Sequence, residues 1–151
     1  MKLFRFPSKE PEITFTNHDA IVTGVYFSPD GRWLLSTSLD GSARRWDVAA
    51  RRGQEPSLRG HLGGVWGGAV APDGRRIATG SAFARDAVKL WDVATHRELL
   101  SLQTAGLYYF HLTFSPDGNT LAATSLNGIA DLWHAPSWEE IEAAEKGQET
   151  R

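Results

Sequence analysis

His18 and Asp40 are the residue types from which a base and its orienting carboxylate can be built, so they are the first candidates for chemistry in this chain. The parts such a pair would need do not accompany it. No Gly-x-Ser-x-Gly elbow presents a nucleophile. The five histidines show no His-Glu-x-x-His or comparable ligand spacing. The run Gly63-Gly64-Val65-Trp66-Gly67-Gly68 is glycine-rich, but no Gly-Lys-Ser/Thr follows, so it reads as a tight turn into a close-packed strand, not a phosphate cradle. Carboxylates fall mostly in turns and in the C-terminal tail. The expectation is a protein that is not an enzyme and has no cofactor and no metal.

Composition bounds the partners. The net charge of −2 does not favour nucleic acid or an anionic membrane. The N-terminus lacks the long apolar run of a signal peptide, and no stretch approaches the roughly 18 apolar residues of a membrane span. Cysteine is absent, which excludes disulfides and thiolate metal sites and fits a reducing, cytoplasmic setting. Fifteen glycines and six tryptophans point to many tight turns around large buried rings.

The elements that would position these residues come from an internal repeat. Three segments are alike: VTGVYFSPDGRWLLSTSLDGSARRWDV, VWGGAVAPDGRRIATGSAFARDAVKLWDV and YFHLTFSPDGNTLAATSLNGIADLWHA. Pro29, Pro72 and Pro116, like Trp46, Trp91 and Trp133, recur about every 40–45 residues, the period of a four-stranded propeller blade. In the first unit an inner strand begins with Val22, Val25 and Phe27. Pro29-Asp30-Gly31 then turns the chain, because proline presets one turn dihedral and glycine accepts a positive φ. Trp33–Ser38 reads as a second strand, Asp40-Gly41 as a hairpin turn, and Ala43–Val48 as a third strand. Outer strands are expected near Glu55–Leu58 and Glu98–Gln103.

The chain resembles the WD-repeat family across residues 12–135. Gly60-His61, three (Ser/Ala)-Pro-Asp-Gly turns, and Trp46-Asp47, Trp91-Asp92 and Trp133-His134 carry the resemblance. It implies an all-β fold: a propeller segment of three four-stranded antiparallel blades, each with its first strand lining a central channel. The resemblance also implies a buried polar set in each blade. In unit one this is His18, Ser36 or Ser38, Asp40 and Trp46. In unit two it is His61, Thr79 or Ser81, and Trp91, with Asp86 displaced by a lengthened turn. Unit three keeps Trp133 but has Ala105 in place of histidine and Asn127 in place of aspartate. These residues are expected to be structural.

Three blades are too few to close a ring of four to eight. Glu12, Ile13, Thr14, Phe15 and Thr16 precede Asn17-His18 as Ser57–Arg59 precede Gly60-His61, and so read as an outer strand without a blade of its own. Unit three lacks an outer strand. The expected domains are an N-terminal extension (1–11), a propeller segment (12–136) divided into the orphan strand (12–16) and units at 17–59, 60–103 and 104–136, and a C-terminal helix and tail (137–151). The tail, with Ser137 and Glu140 as a capping box, resembles those following the last repeat of many bacterial WD-repeat proteins. Trp138 and Ile141 share one face of this helix and are expected to dock it.

The chain is therefore expected to bind itself, Glu12–Thr16 of one copy pairing with Ala130, Asp131, Leu132, Trp133 and His134 of the next. A six-bladed dimer is favoured over a nine-bladed trimer because it orders fewer chains. The alternative is a piece of a longer repeat protein. A partner-binding rim is expected at Asp19, Leu62, Phe83, Arg85, Leu107 and Tyr108, since aromatic and arginine side chains dominate hot spots. The opposite rim carries Arg51-Arg52 and Arg75-Arg76, expected to be a solvated face. The function expected is a protein- or peptide-binding scaffold, with a purely structural self-assembling module as the alternative.

Overall fold

A computed structural model describes residues 2–4, 7, 9–82 and 87–135. The C-terminal helix expected over 137–151 and the turn residues Phe83, Arg85 and Asp86 lie outside the described residues. The strands are β1 (Lys2–Phe4), β2 (Pro11–Thr14), β3 (Val22–Phe27), β4 (Trp33–Ser38), β5 (Ser42–Asp47), β6 (Arg52–Arg59), β7 (Val65–Val70), β8 (Arg76–Ser81), β9 (Val88–Asp92), β10 (Glu98–Leu102), β11 (Tyr109–Phe114), β12 (Thr120–Ser125) and β13 (Ala130–His134). They form antiparallel sheets β3-β4-β5-β6, β7-β8-β9-β10 and β11-β12-β13, which are blades one, two and three, and a separate pair β1-β2.

Turn chemistry sets these strands. Gly31, Gly74 and Gly118 hold φ of 69°, 69° and 75°, the left-handed region the Pro-Asp-Gly turns require. In the first turn Ser28 Oγ donates to Asp30 Oδ1 (2.7 Å) and accepts from the Trp33 amide (3.0 Å), tying both ends of the turn. Ser115 and Asp117 repeat this in blade three, whereas Ala71 in blade two has no hydroxyl to do so.

Each blade faces the next through one side of its pleated sheet. Trp33, Leu35, Ala43 and Leu58 of blade one bury Ile77 and Trp91 of blade two. Ala69, Ala78, Val88 and Leu102 of blade two bury Leu112, Leu121 and Ala123 of blade three. Small residues permit close approach here: a Cβ on Gly67 would lie 2.4 Å from the Phe110 carbonyl oxygen. Polar stitches cross the same seams. Thr23 Oγ1 donates to the Val65 carbonyl (2.7 Å), the Arg45 guanidinium donates to the Val93 carbonyl and lies 4.6 Å above the Trp33 ring, and Arg76 donates to the Gly118 carbonyl (3.1 Å).

The structure differs from expectation at the N-terminus. The segment taken as an extension supplies a strand, β1, and the strand taken as an orphan, β2, has β1 as its partner. The first three residues of that expected strand, Glu12, Ile13 and Thr14, are strand, but Phe15 leaves the ladder and buries against Trp46 (ring centroids 4.8 Å), and Thr16 is exposed outside it. The β1-β2 ladder ends at the pair Lys2 and Thr14, and Phe15 clusters with Leu34 and Trp46 of blade one.

Candidate interaction surfaces

In blade one His18 Nδ1–H donates to Asp40 Oδ2 (2.8 Å), since a carboxylate only accepts. That leaves Nε2 to accept from the Ser36 hydroxyl (2.7 Å), whose oxygen accepts the Trp46 indole N–H (2.7 Å). Asp40 also accepts from the Asp19 amide (3.0 Å) and from the Ser42 amide (2.9 Å) and hydroxyl (2.5 Å). Burial by itself would raise the Asp40 carboxyl; hydrogen bonds from Ser42, His18 and the Asp19 amide outweigh it and hold the group well below the ordinary carboxylate range. Ser36 is fully buried between indole and imidazole, so its hydroxyl does not face solvent. It clamps the entry loop, the second strand and the third strand together. Ser38 bonds the Asp40 amide instead (3.2 Å), so of the two candidate serines it is Ser36 that joins the histidine.

Blade two places His61 Nε2 2.7 Å from the Thr79 hydroxyl, which accepts the Trp91 indole N–H at 2.7 Å. Ser81 is buried apart from this set. Blade three is wired differently. At the position of Ser36 and Thr79 stands Ala123, which has no hydroxyl to offer Trp133. Instead Tyr109, fully buried, donates its phenol to Asp131 and accepts the Gly106 amide (2.6 Å), while Asn127 accepts from Ser125 (2.7 Å) and from the Leu107 amide (2.9 Å). Burial raises the Tyr109 phenol above its ordinary value, and the Asp131 carboxylate adds to the shift. Sequence reading missed the Tyr109–Asp131 pair. The available signal was an aspartate in β13 at the register position held by Arg44 and Lys89 in the other third strands.

Above these networks the structure brings Leu107 and Tyr108 together with two residues the sequence reading passed over. Tyr108 adopts a left-handed φ of 55° and its ring meets Trp66 edge-on at 6.0 Å. The Leu126 amide bonds the Leu107 and Tyr108 carbonyls (2.9 and 3.3 Å). All four side chains are exposed, forming an apolar patch beside the inner strands. Leu62 is 92% exposed and lines a separate polar cleft of about 270 Å³ with Asp40, Arg59 and His61. Asp19 acts on this rim through its backbone, as a donor to Asp40. On the opposite rim Arg75 is solvated, but Arg76 turns inward to Asp73 (3.2 Å), Gly118 and the Phe114 ring.

Antiparallel blades of this size packed side by side define a β-propeller repeat protein. A family model described as WD domain, G-beta repeat (WD40) matches residues 9–47, 53–92 and 104–134, and the chain belongs to that family. It is 36% identical over 78% of its length to "WD repeat-containing protein SL1-17" of Schistosoma mansoni. It is 35% identical over 75% of its length to "Eukaryotic translation initiation factor 3 subunit I" of Aspergillus terreus. Identity to "Protein LST8 homolog" of Drosophila melanogaster is 28% over 84% of the chain. The chain spans 38%, 32% and 40% of these relatives. All three are eukaryotic, so the bacterial type expected from the tail gains no support from them. Among the described residues no helix is long and apolar enough to cross a membrane, and no group of His, Cys, Asp or Glu could hold a metal ion.

Proposed function

We propose that this chain is a non-catalytic protein- or peptide-binding scaffold whose open arc is completed by further copies of itself. The exposed Trp66, Leu107, Tyr108 and Leu126 patch supports the binding role: aromatic anchors on strands and a hydrogen-bonded turn lose little entropy on capture. Cytoplasmic residence belongs to the same reading, supported by the relative named for translation initiation. Peptides selected from a random library on the chain are expected to bind the Trp66→Ala/Tyr108→Ala double variant about tenfold more weakly or worse. Peptides that bind both proteins equally would remove this patch from the reading.

Self-association is carried by the far face of blade three. The register pairs Leu35 with Arg45, Ala78 with Leu90 and Ala122 with Leu132 at equivalent places. In blades one and two these faces pack against the next blade; in blade three Leu132 is 68% exposed, and no strand pairs with the outer edge of β13 among the described residues. Such an edge invites strand addition. Sedimentation over a concentration series is expected to show a discrete species at two or three times 16.6 kDa, lost in Leu132→Asp. A species at 16.6 kDa throughout would overturn it.

A further inference from the structure

Residues 2–16 repeat the end of blade two. Lys2 to Thr16 aligns with Lys89 to Gln103, two repeat lengths further on, without a gap. Lys2-Leu3-Phe4 stands against Lys89-Leu90-Trp91, and Ile13-Thr14-Phe15 against Leu100-Ser101-Leu102. The ladders agree pair by pair. Lys2 pairs with Thr14 as Lys89 pairs with Ser101. Leu3 pairs with Ile13 as Leu90 does with Leu100, and Phe4 with Pro11 as Trp91 does with Glu98. Both ladders shift register at the same step. Packing agrees as well. Phe15 clusters with Trp46 of blade one as Leu58, from the outer strand of blade one, clusters with Trp91 of blade two.

We infer that β1 and β2 are the third and outer strands of a further blade, so that β1 holds the edge of β2 which β13 of a second copy must take to close a ring. This rests on the self-association proposed above. An outer strand has one inward neighbour, and two strands compete to be it. Asp131, Leu132 and Trp133 of β13 fall at the register positions of Lys89, Leu90 and Trp91, hence of Lys2, Leu3 and Phe4. Adding β13 beyond β1 would set two third strands side by side and running the same way, whereas every strand pair in these sheets is antiparallel. Closure therefore proceeds by exchange. The three-residue β1 leaves β2, and the five-residue β13 of the next copy, already part of a sheet, replaces it. Phe4, half exposed, is the aromatic that Trp133 of the incoming strand supersedes.

The absence of cysteine makes a direct test possible. Two double variants, Lys2→Cys/Thr14→Cys and Leu3→Cys/Ile13→Cys, place thiols at successive cross-strand pairs. Successive antiparallel pairs alternate between wide and narrow spacing, so one of the two sits at disulfide distance. That variant is expected to oxidise within the monomer, and the oxidised form to stay at 16.6 kDa at concentrations where the reduced form associates. Deleting residues 1–8 is expected to lower the half-assembly concentration about tenfold or more. Failure of both pairs to oxidise in chains with native tryptophan circular dichroism would overturn the blade assignment. An oxidised chain that assembles like its reduced form would overturn the exchange. Chains that stay monomeric in reduced and deleted forms would overturn the exchange together with self-association, while disulfide formation still decides the blade assignment separately.

Discussion

In blade one the Trp46 indole reaches the Ser36 hydroxyl, and through it His18 and Asp40; in blade three the residue at the place of Ser36 is Ala123, and the polar connections run through Tyr109 and Asp131 instead. Both arrangements do the same mechanical work. Each ties the loop entering the inner strand to the later strands of its blade and satisfies backbone amides, those of Asp19 and Ser42 in blade one and that of Gly106 in blade three. The difference teaches that the blade specifies a set of bonds to be made, and that different side chains can make them. It also moves the anchor: in blade one the buried aromatic of the network is on the third strand, in blade three on the first.

Truncating the tryptophans should separate the two blades most. Trp46→Ala removes a buried ring that also supports Phe15, and is expected to cost about 3–5 kcal/mol in urea unfolding. Trp133→Ala, at a half-buried ring with no hydroxyl partner at Ala123, is expected to cost distinctly less. Equal losses would show that the third-strand tryptophan has the same weight in both.

The blades should next differ in pH dependence. The Asp40 carboxyl is depressed in the fold, so the stability it contributes is complete above the unfolded value of about 3.9 and shrinks as pH falls below it. The Tyr109 phenol is raised, so its contribution is complete below the unfolded value of about 10 and is lost as pH climbs through the folded value. Asp40→Asn is expected to flatten the acid limb of a stability–pH curve, and Tyr109→Phe the alkaline limb. A swap of these effects would break the comparison.

The smallest expected effect comes from rebuilding the missing hydroxyl. Ala123→Ser offers the Trp133 indole the acceptor that Ser36 offers Trp46, and is expected to stabilise by about 0.5–1.5 kcal/mol in the same assay. A loss larger than that would mean the space at Ala123, almost fully buried against blade two, does not admit an oxygen.

Much of the blade was legible in the chain itself. The second strand of unit one, expected over Trp33–Ser38, has those bounds, and Ala130–His134 is β13 as anticipated. The glycines after each Pro-Asp and after Asp40 take the positive φ the turns demand. The N-terminal pair was not read, although Lys2-Leu3-Phe4 echoes Lys89-Leu90-Trp91; a three-residue strand with phenylalanine for tryptophan falls below what alternation alone can signal. The exposed apolar patch was half read. Leu107 and Tyr108 were in view, but Trp66 sits inside a glycine-rich run that suggested only a turn.

By itself the sequence determined the repeat, the second strand of unit one and the turns, because these depend on residues within a few positions of one another: the fixed φ of proline, the open φ space of glycine, and the two-residue period of a pleated strand. Tertiary structure alone decided which of two serines on one face of β4 meets His18, that Tyr109 reaches Asp131 across the sheet, and that Arg76 turns from the solvent to the next blade. Those outcomes depend on distances between groups far apart in the chain, and a hydrogen bond that must form within about 3 Å is set by how blades and strands pack, a quantity that no local pattern of residue types contains.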